Sequence, residues 1–126
     1  LASKFLVLEF IKGNVMQNVL VRPQTAIVRP CGCLNAASAP QFQTQLTAAI
    51  LSEHHFTVLV DLSQAEALDS AGLMVLVAAL RLAQRRNKRL SLCSVSASTR
   101  IIFEMTQLDR VFEIFESFTA FELVTA

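Results

Sequence analysis

A chain of 126 residues with 53% hydrophobic content, nine Phe and neither Trp nor Tyr holds enough apolar material for one packed domain and too little length for two, which excludes a disordered or fibrous chain. Eleven Lys and Arg against ten Asp and Glu leave a formal net charge of +1, so there is no surplus of cations with which to hold nucleic acid through its phosphates. The longest apolar run, residues 73–80, is far shorter than the roughly 18 residues of a membrane span, and three cysteines without framework spacing suit a reducing, cytoplasmic compartment.

Residues 1–17 are expected to be an N-terminal extension, a tail or an extra strand, with residues 18–126 as the domain. Lys4 precedes an apolar stretch that Glu9 interrupts, and no small-residue cleavage site of a secretory signal follows. A natural start at Met16 is the other reading. Residues 19–22 and 25–29 then read as two strands of a hairpin about a turn at Pro23-Gln24, and Pro30, lacking a backbone donor, ends the regular pairing. Cys31-Gly32-Cys33-Leu34-Asn35 leads into a loop. No second cysteine pair lies at metal-ligand spacing and His54 and His55 are adjacent, so no metal site is expected. Ser38 is the predicted cap of a helix with Pro40 in its first turn and Phe42, Leu46, Ala49 and Ile50 recurring at helical spacing, ending near residue 52 or 53.

Residues 56–61 form a continuous apolar run, the pattern of a strand buried on both faces of a sheet. A polar loop follows and reaches Asp69-Ser70-Ala71-Gly72-Leu73, which opens the most apolar segment of the chain. Asp69 is a good N-cap, because its carboxylate accepts from the backbone N–H groups of the first turn. Ser70 therefore sits at the mouth of a helix, where a phosphate placed on its hydroxyl would meet unpaired N–H groups and the positive end of the dipole. Gly72 reads as a small residue that lets the helix start approach the sheet. The first half of this helix is apolar nearly all round and is expected to be packed, whereas Arg81, Gln84, Arg85 and Lys88 mark a solvated, basic end. Residues 89–95 are the next strand, 96–105 a helix with Ile101, Ile102 and Met105 inward, 111–115 a short strand and 119–124 a terminal helix. The order from Val19, β-β-α-β-α-β-α-β-α, predicts an α/β fold: a mixed, mostly parallel sheet with helices packed against it.

No chemistry of catalysis assembles along this order. The histidines lie away from the Ser70 segment, three glycines form no phosphate-cradling loop, and no paired carboxylates or Ser-His-Asp arrangement are spaced for use, so neither an enzyme nor a cofactor is expected.

In register with that order, Leu68-Asp69-Ser70-Ala71-Gly72-Leu73 resembles the Asp-Ser-(Ser/Thr)-Gly-Leu signature of the STAS domain, the fold of bacterial anti-sigma factor antagonists. Gly32-Cys33-Leu34-Asn35 is similar to the family's Gly-Glu-Leu-Asp, and Leu108-Asp109 stands before the last strand as in the family. The resemblance spans residues 18–124. It implies a regulatory binding module that sequesters an anti-sigma factor which is also a serine-protein kinase, is phosphorylated by it at the position of Ser70, and is reset by a serine phosphatase. Neither nucleic acid nor membrane insertion belongs to that role. The implied contact residues are Asn35, Asp69, Ser70, Ala71, Gly72 and Leu73. Ala71 stands where the family has a second hydroxyl residue, and Cys33 and Asn35 where it has acids, so partner choice is expected to differ from that of the best-known members. The other role the resemblance implies is a scaffold subunit of a signalling assembly or of an ABC-type lipid-transport complex, with Ser70 not phosphorylated.

Overall fold

Val58, Leu59 and Val60 are all fully buried, and consecutive strand residues point to opposite faces, so the strand that carries them is covered on both sides. This strand, β5 (His55–Asp61), lies within a six-stranded sheet of the computed structural model, which describes residues 6–9, 18–22 and 24–125. Before it come β1 (Leu6–Glu9), β2 (Asn18–Arg22) and β3 (Gln24–Val28), paired antiparallel in sequence. After it come β7 (Arg89–Cys93) and β8 (Glu113–Phe115), and β3, β5, β7 and β8 run parallel. The parallel crossovers are α1 (Ala39–Leu51), α2 (Ser70–Arg85) and α3 (Ala97–Met105). Because strand order and chain order advance together, crossovers of one hand put all three helices on one face. There Phe42, Leu46, Ile50, Leu76 and Phe103 pack on Val28, Val58, Val60, Leu90 and Leu92. The fourth helix, α4 (Phe118–Thr125), covers the other face, where Phe121 meets Ile27, Leu59 and Cys93.

The mixed, mostly parallel α/β architecture is the one the sequence predicts. Of the expected extension, residues 6–9 are an added edge strand; residues 1–5 and 10–17, and Pro23 of the expected turn, lie outside the described residues.

Four local expectations are corrected. Gly32–Leu34 and Ala65–Leu68, read as loop, are short strands, β4 and β6, that pair in parallel as a separate two-stranded sheet. Ser38 does not cap α1: its hydroxyl turns back to donate to the Cys33 carbonyl at 2.8 Å. In α3 the buried pair is Thr99 and Phe103, one turn apart, while Ile101 and Met105 are 55% and 79% exposed. The Thr99 hydroxyl is satisfied by Ser96 at 3.0 Å, which lets a polar residue turn inward and shifts the helix phase, and Phe103 stacks on Phe112 with centroids 5.7 Å apart. Finally, the first half of α2 is packed on one side only, with Met74 62% exposed.

Of the three crossover helices, α2 and α3 end on left-handed residues, while α1 ends on extended Ser52. Asn87 (φ 58°) follows α2, with Asn87 N–H donating to Gln84 O and Lys88 N–H to Ala83 O, a Schellman closure; Gln107 (φ 63°) follows α3 and precedes a 3-10 turn, Leu108–Arg110.

Candidate functional site

β4 and β6 leave the C-terminal ends of β3 and β5, the end of a parallel sheet where loops converge into binding sites. Their pairing, Cys33 with Ala67 and Leu34 with Leu68, brings the two segments of interest together although they are far apart in sequence. The Asp69 N–H donates to the Leu34 carbonyl at 3.1 Å, which locks the start of α2 against the end of β4.

Asp69 caps α2 as expected. Its Oδ1 accepts from the N–H groups of Ala71 at 2.9 Å and Gly72 at 3.2 Å, with extended backbone at the cap. One expectation changes in consequence: those two donors are already occupied, so a phosphate on Ser70 would find the helix dipole but not these N–H groups. Ser70 itself is exposed, and its hydroxyl makes no hydrogen bond among the described residues. Ala71 and Leu73 are half-buried. Gly72 is buried against β4 so closely that a Cβ there would stand 2.6 Å from the Leu34 carbonyl oxygen and 2.9 Å from the Leu34 Cβ. Backbone cannot yield as a flexible side chain does, so only glycine fits.

Asn35 sits beside this start but spends its side chain on the loop. Its Oδ1 accepts from Ala37 N–H at 3.0 Å and Ser38 N–H at 3.2 Å, and its own N–H donates to Ser38 Oγ at 3.1 Å. An Asp oxygen would accept the same bonds, so Asn here keeps the turn and removes the charge. Cys33, exposed on β4, lies with its sulfur 3.9 Å from a carboxylate oxygen of exposed Glu66 on β6, so an acid stands next to the position where the sequence lacks one. Sequence reasoning missed Glu66 and Met74. Met74 had a signal: it lies four residues after Ser70 and so shares its stripe of the helix.

Beneath the site, Asp61 at the end of β5 is 3% exposed and accepts from Arg29 Nε at 2.8 Å and from Ser63 N–H at 3.0 Å. Burial pushes this carboxyl up, but the Ser63 N–H and the Arg29 guanidinium together outweigh it and hold it below the ordinary carboxylate range. The neighbouring Cys93 thiol is pushed up to about 12, by burial first and then by the Asp61 charge, and is inert as a nucleophile. His54 and His55 lie at the opposite end of β5, about 20 Å from Asp61 at ~3.3 Å per residue, so the structure does not bring them to Ser70. Burial, then His54 and Lys88, hold His55 below its usual value.

Residues 16–120 match the family model described as the STAS domain. Solved structures of the same fold include an anti-sigma factor antagonist from Mycobacterium paratuberculosis, 21% identical over 88% of this chain and 94% of that one, with a TM-score of 0.75. The anti-sigma factor antagonist SpoIIAA in its unphosphorylated form is 16% identical over 96% of each chain, with a TM-score of 0.67. The Bacillus cell fate determinant SpoIIAA in its phosphorylated form is 18% identical over 95% of this chain and 98% of that one, with a TM-score of 0.64. At these identities the likeness concerns the fold.

Proposed function

We propose, for a chain that belongs to the STAS-domain family, that it is an anti-sigma factor antagonist: a binding module without catalytic chemistry of its own, which sequesters an anti-sigma factor acting also as a serine kinase and is released when Ser70 is phosphorylated. The observation that carries the reading is the exposed Ser70 hydroxyl at the start of a capped sixteen-residue helix. Three further features support it. Asp69 stands beside the hydroxyl, Gly72 and Leu34 fix the backbone on either side of it, and Met74 offers an apolar contact one turn along. Solved structures of the fold include one such antagonist in both phosphorylated and unphosphorylated form. The contact surface in this reading comprises Asn35, Asp69, Ser70, Ala71, Gly72, Leu73 and Met74, with Asn35 contributing the shape of its loop. Release follows from charge: a phosphate adds about −1.5 to −2 at neutral pH beside Asp69, in a contact that must exclude water. A serine phosphatase resets the module, and no helix among the described residues is long and apolar enough to cross a membrane.

Incubation with the cognate kinase and ATP, followed by mass-spectrometric mapping, is the test. Phosphate on Ser70 is the expected result. Label on Ser94, Ser96 or Ser98 with Ser70 unmodified overturns the assignment, and a stable complex in which no serine is modified points to the scaffold role.

A further inference from the structure

A second feature lies further along α2. Ser70, Met74, Ala78, Arg81 and Arg85 are all exposed and follow one another at helical spacing, so they form a single stripe down the helix. In its second half this stripe borders a groove of about 160 Å³ between α1 and α2, with Leu46, Val75, Ala79 and Leu82 at its floor and Gln43, Thr47, Ala78 and Arg85 along its rim, so that its surface is as much polar as apolar. The charges on the two helices that form it have one sign. α1 has no ionisable residue, α2 carries Arg81 and Arg85 and no acid, and Arg86 and Lys88 follow directly. The one acid in the turn after α1, Glu53, forms no ion pair among the described residues, and neither do Arg81, Arg85 and Arg86. These arginines are not needed to close the helix either, because the N–H groups of Arg86, Asn87 and Lys88 already satisfy its last carbonyls. In a chain with a net charge of only +1, this is a local separation of charge next to a groove with an apolar floor and a polar rim.

We infer that the α1–α2 groove is a second docking site, for an acidic amphipathic helix of a protein partner whose apolar side enters the groove while its carboxylates meet Arg81 and Arg85. The apolar floor distinguishes this from nucleic acid, which would need a longer cationic track, and the concave shape distinguishes it from a lipid surface. The site stands apart from the Ser70 switch. From Ser70 to Arg85 the helix rises about 22 Å at 1.5 Å per residue, more than twice the ~8 Å screening length of physiological salt, so charge placed on Ser70 is not felt at the arginines. A partner held in the groove therefore stays bound whether or not Ser70 is modified.

The probe is a fluorescein-labelled amphipathic helical peptide with a Leu face flanked by Glu, followed by anisotropy. Its Glu→Gln analogue, a single-stranded oligonucleotide and phosphatidylglycerol vesicles are the comparators. The peptide is expected to bind, to lose at least about tenfold in affinity with Arg81→Glu/Arg85→Glu and with Ala78→Glu, and to bind Ser70→Asp as well as wild type. All these positions are exposed, and a melting curve establishes that each variant is folded. Absence of peptide binding, equal affinity of the analogue or of both groove variants, or preference for the oligonucleotide or the vesicles overturns the inference. Weakening by Ser70→Asp overturns the independence of the two sites and leaves the phosphorylation reading untouched.

Discussion

At Gly72, packing against Leu34 leaves no room for a side chain. Gly72→Ala forces a methyl group into the Leu34 carbonyl, and overpacking of this kind costs about 1–3 kcal/mol. Urea unfolding should show that loss, and an unchanged midpoint would mean that β4 can move away from α2. Ser70 behaves in the opposite way. Inside the protein a charge there meets roughly 0.3–1 kcal/mol of dipole attraction and repulsion from Asp69, small terms that oppose each other. At a desolvated partner contact the same charge costs several kcal/mol. Ser70→Asp should therefore leave the melting temperature nearly unchanged and weaken kinase binding at least about tenfold, while Ser70→Ala should keep binding and resist release by ATP; calorimetry on both variants reads the difference. Equal affinity of Ser70→Asp and wild type would remove the electrostatic switch. The cap at Asp69 was legible in the sequence because it depends only on its immediate neighbours Ala71 and Gly72, whereas the segment that Gly72 packs on, at Leu34, lies far back in the chain. Asn35 was legible only as a position: that its side chain is consumed by Ala37 and Ser38 depends on the path of the loop.

Five strands of the main sheet, β2, β3, β5, β7 and β8, and all four helices could be read from the sequence pattern, whereas for β1 a tail and an extra strand were both open. β4 and β6 could not be read. Neither carries a β-branched residue to mark it as a strand, and their partner strands are each other, a fact of topology. The inward face of α3 was misjudged because Thr99 counts as polar until Ser96 satisfies its hydroxyl. At this scale Asn87 is the informative residue of α2. Its left-handed backbone suits Asn or Gly, so Asn87→Ala should lower stability by about 1 kcal/mol and Asn87→Gly should not. The extension is tested the same way. We expect a chain beginning at Met16, where the family match begins, to unfold cooperatively, at a lower temperature by whatever the β1–β2 pairing contributes. Loss of cooperative unfolding would show that β1 is integral to the domain.

Across the whole molecule, the part-buried Arg29–Asp61 pair ties the end of β3 to β5 and contributes to the acid response. Asp61 titrates near 3.9 when unfolded and lower when folded, so its contribution is complete above that value and disappears as the pH falls through the folded one. Melting temperature should accordingly drop below about pH 4, and Asp61→Asn should flatten that part of the curve while costing about 2–3 kcal/mol at neutral pH, less than for a fully buried pair because Arg29 is 30% exposed. The Arg89–Glu113 pair, with both side chains exposed, should add little. Thiol labelling gives an independent measure of opening. Cys31 and Cys33 are exposed and should react in the native state, and Cys93 only when the sheet opens. The parallel pairing of β4 with β6 also has a consequence for synthesis. Both paired segments lie N-terminal to Ser70, so they have left the ribosome before the serine does. What the nascent chain still lacks when Ser70 emerges is the rest of α2 and the strands β7 and β8 that complete the sheet beside β5. The start of α2 is therefore held in its final shape only once the later part of the chain has been made.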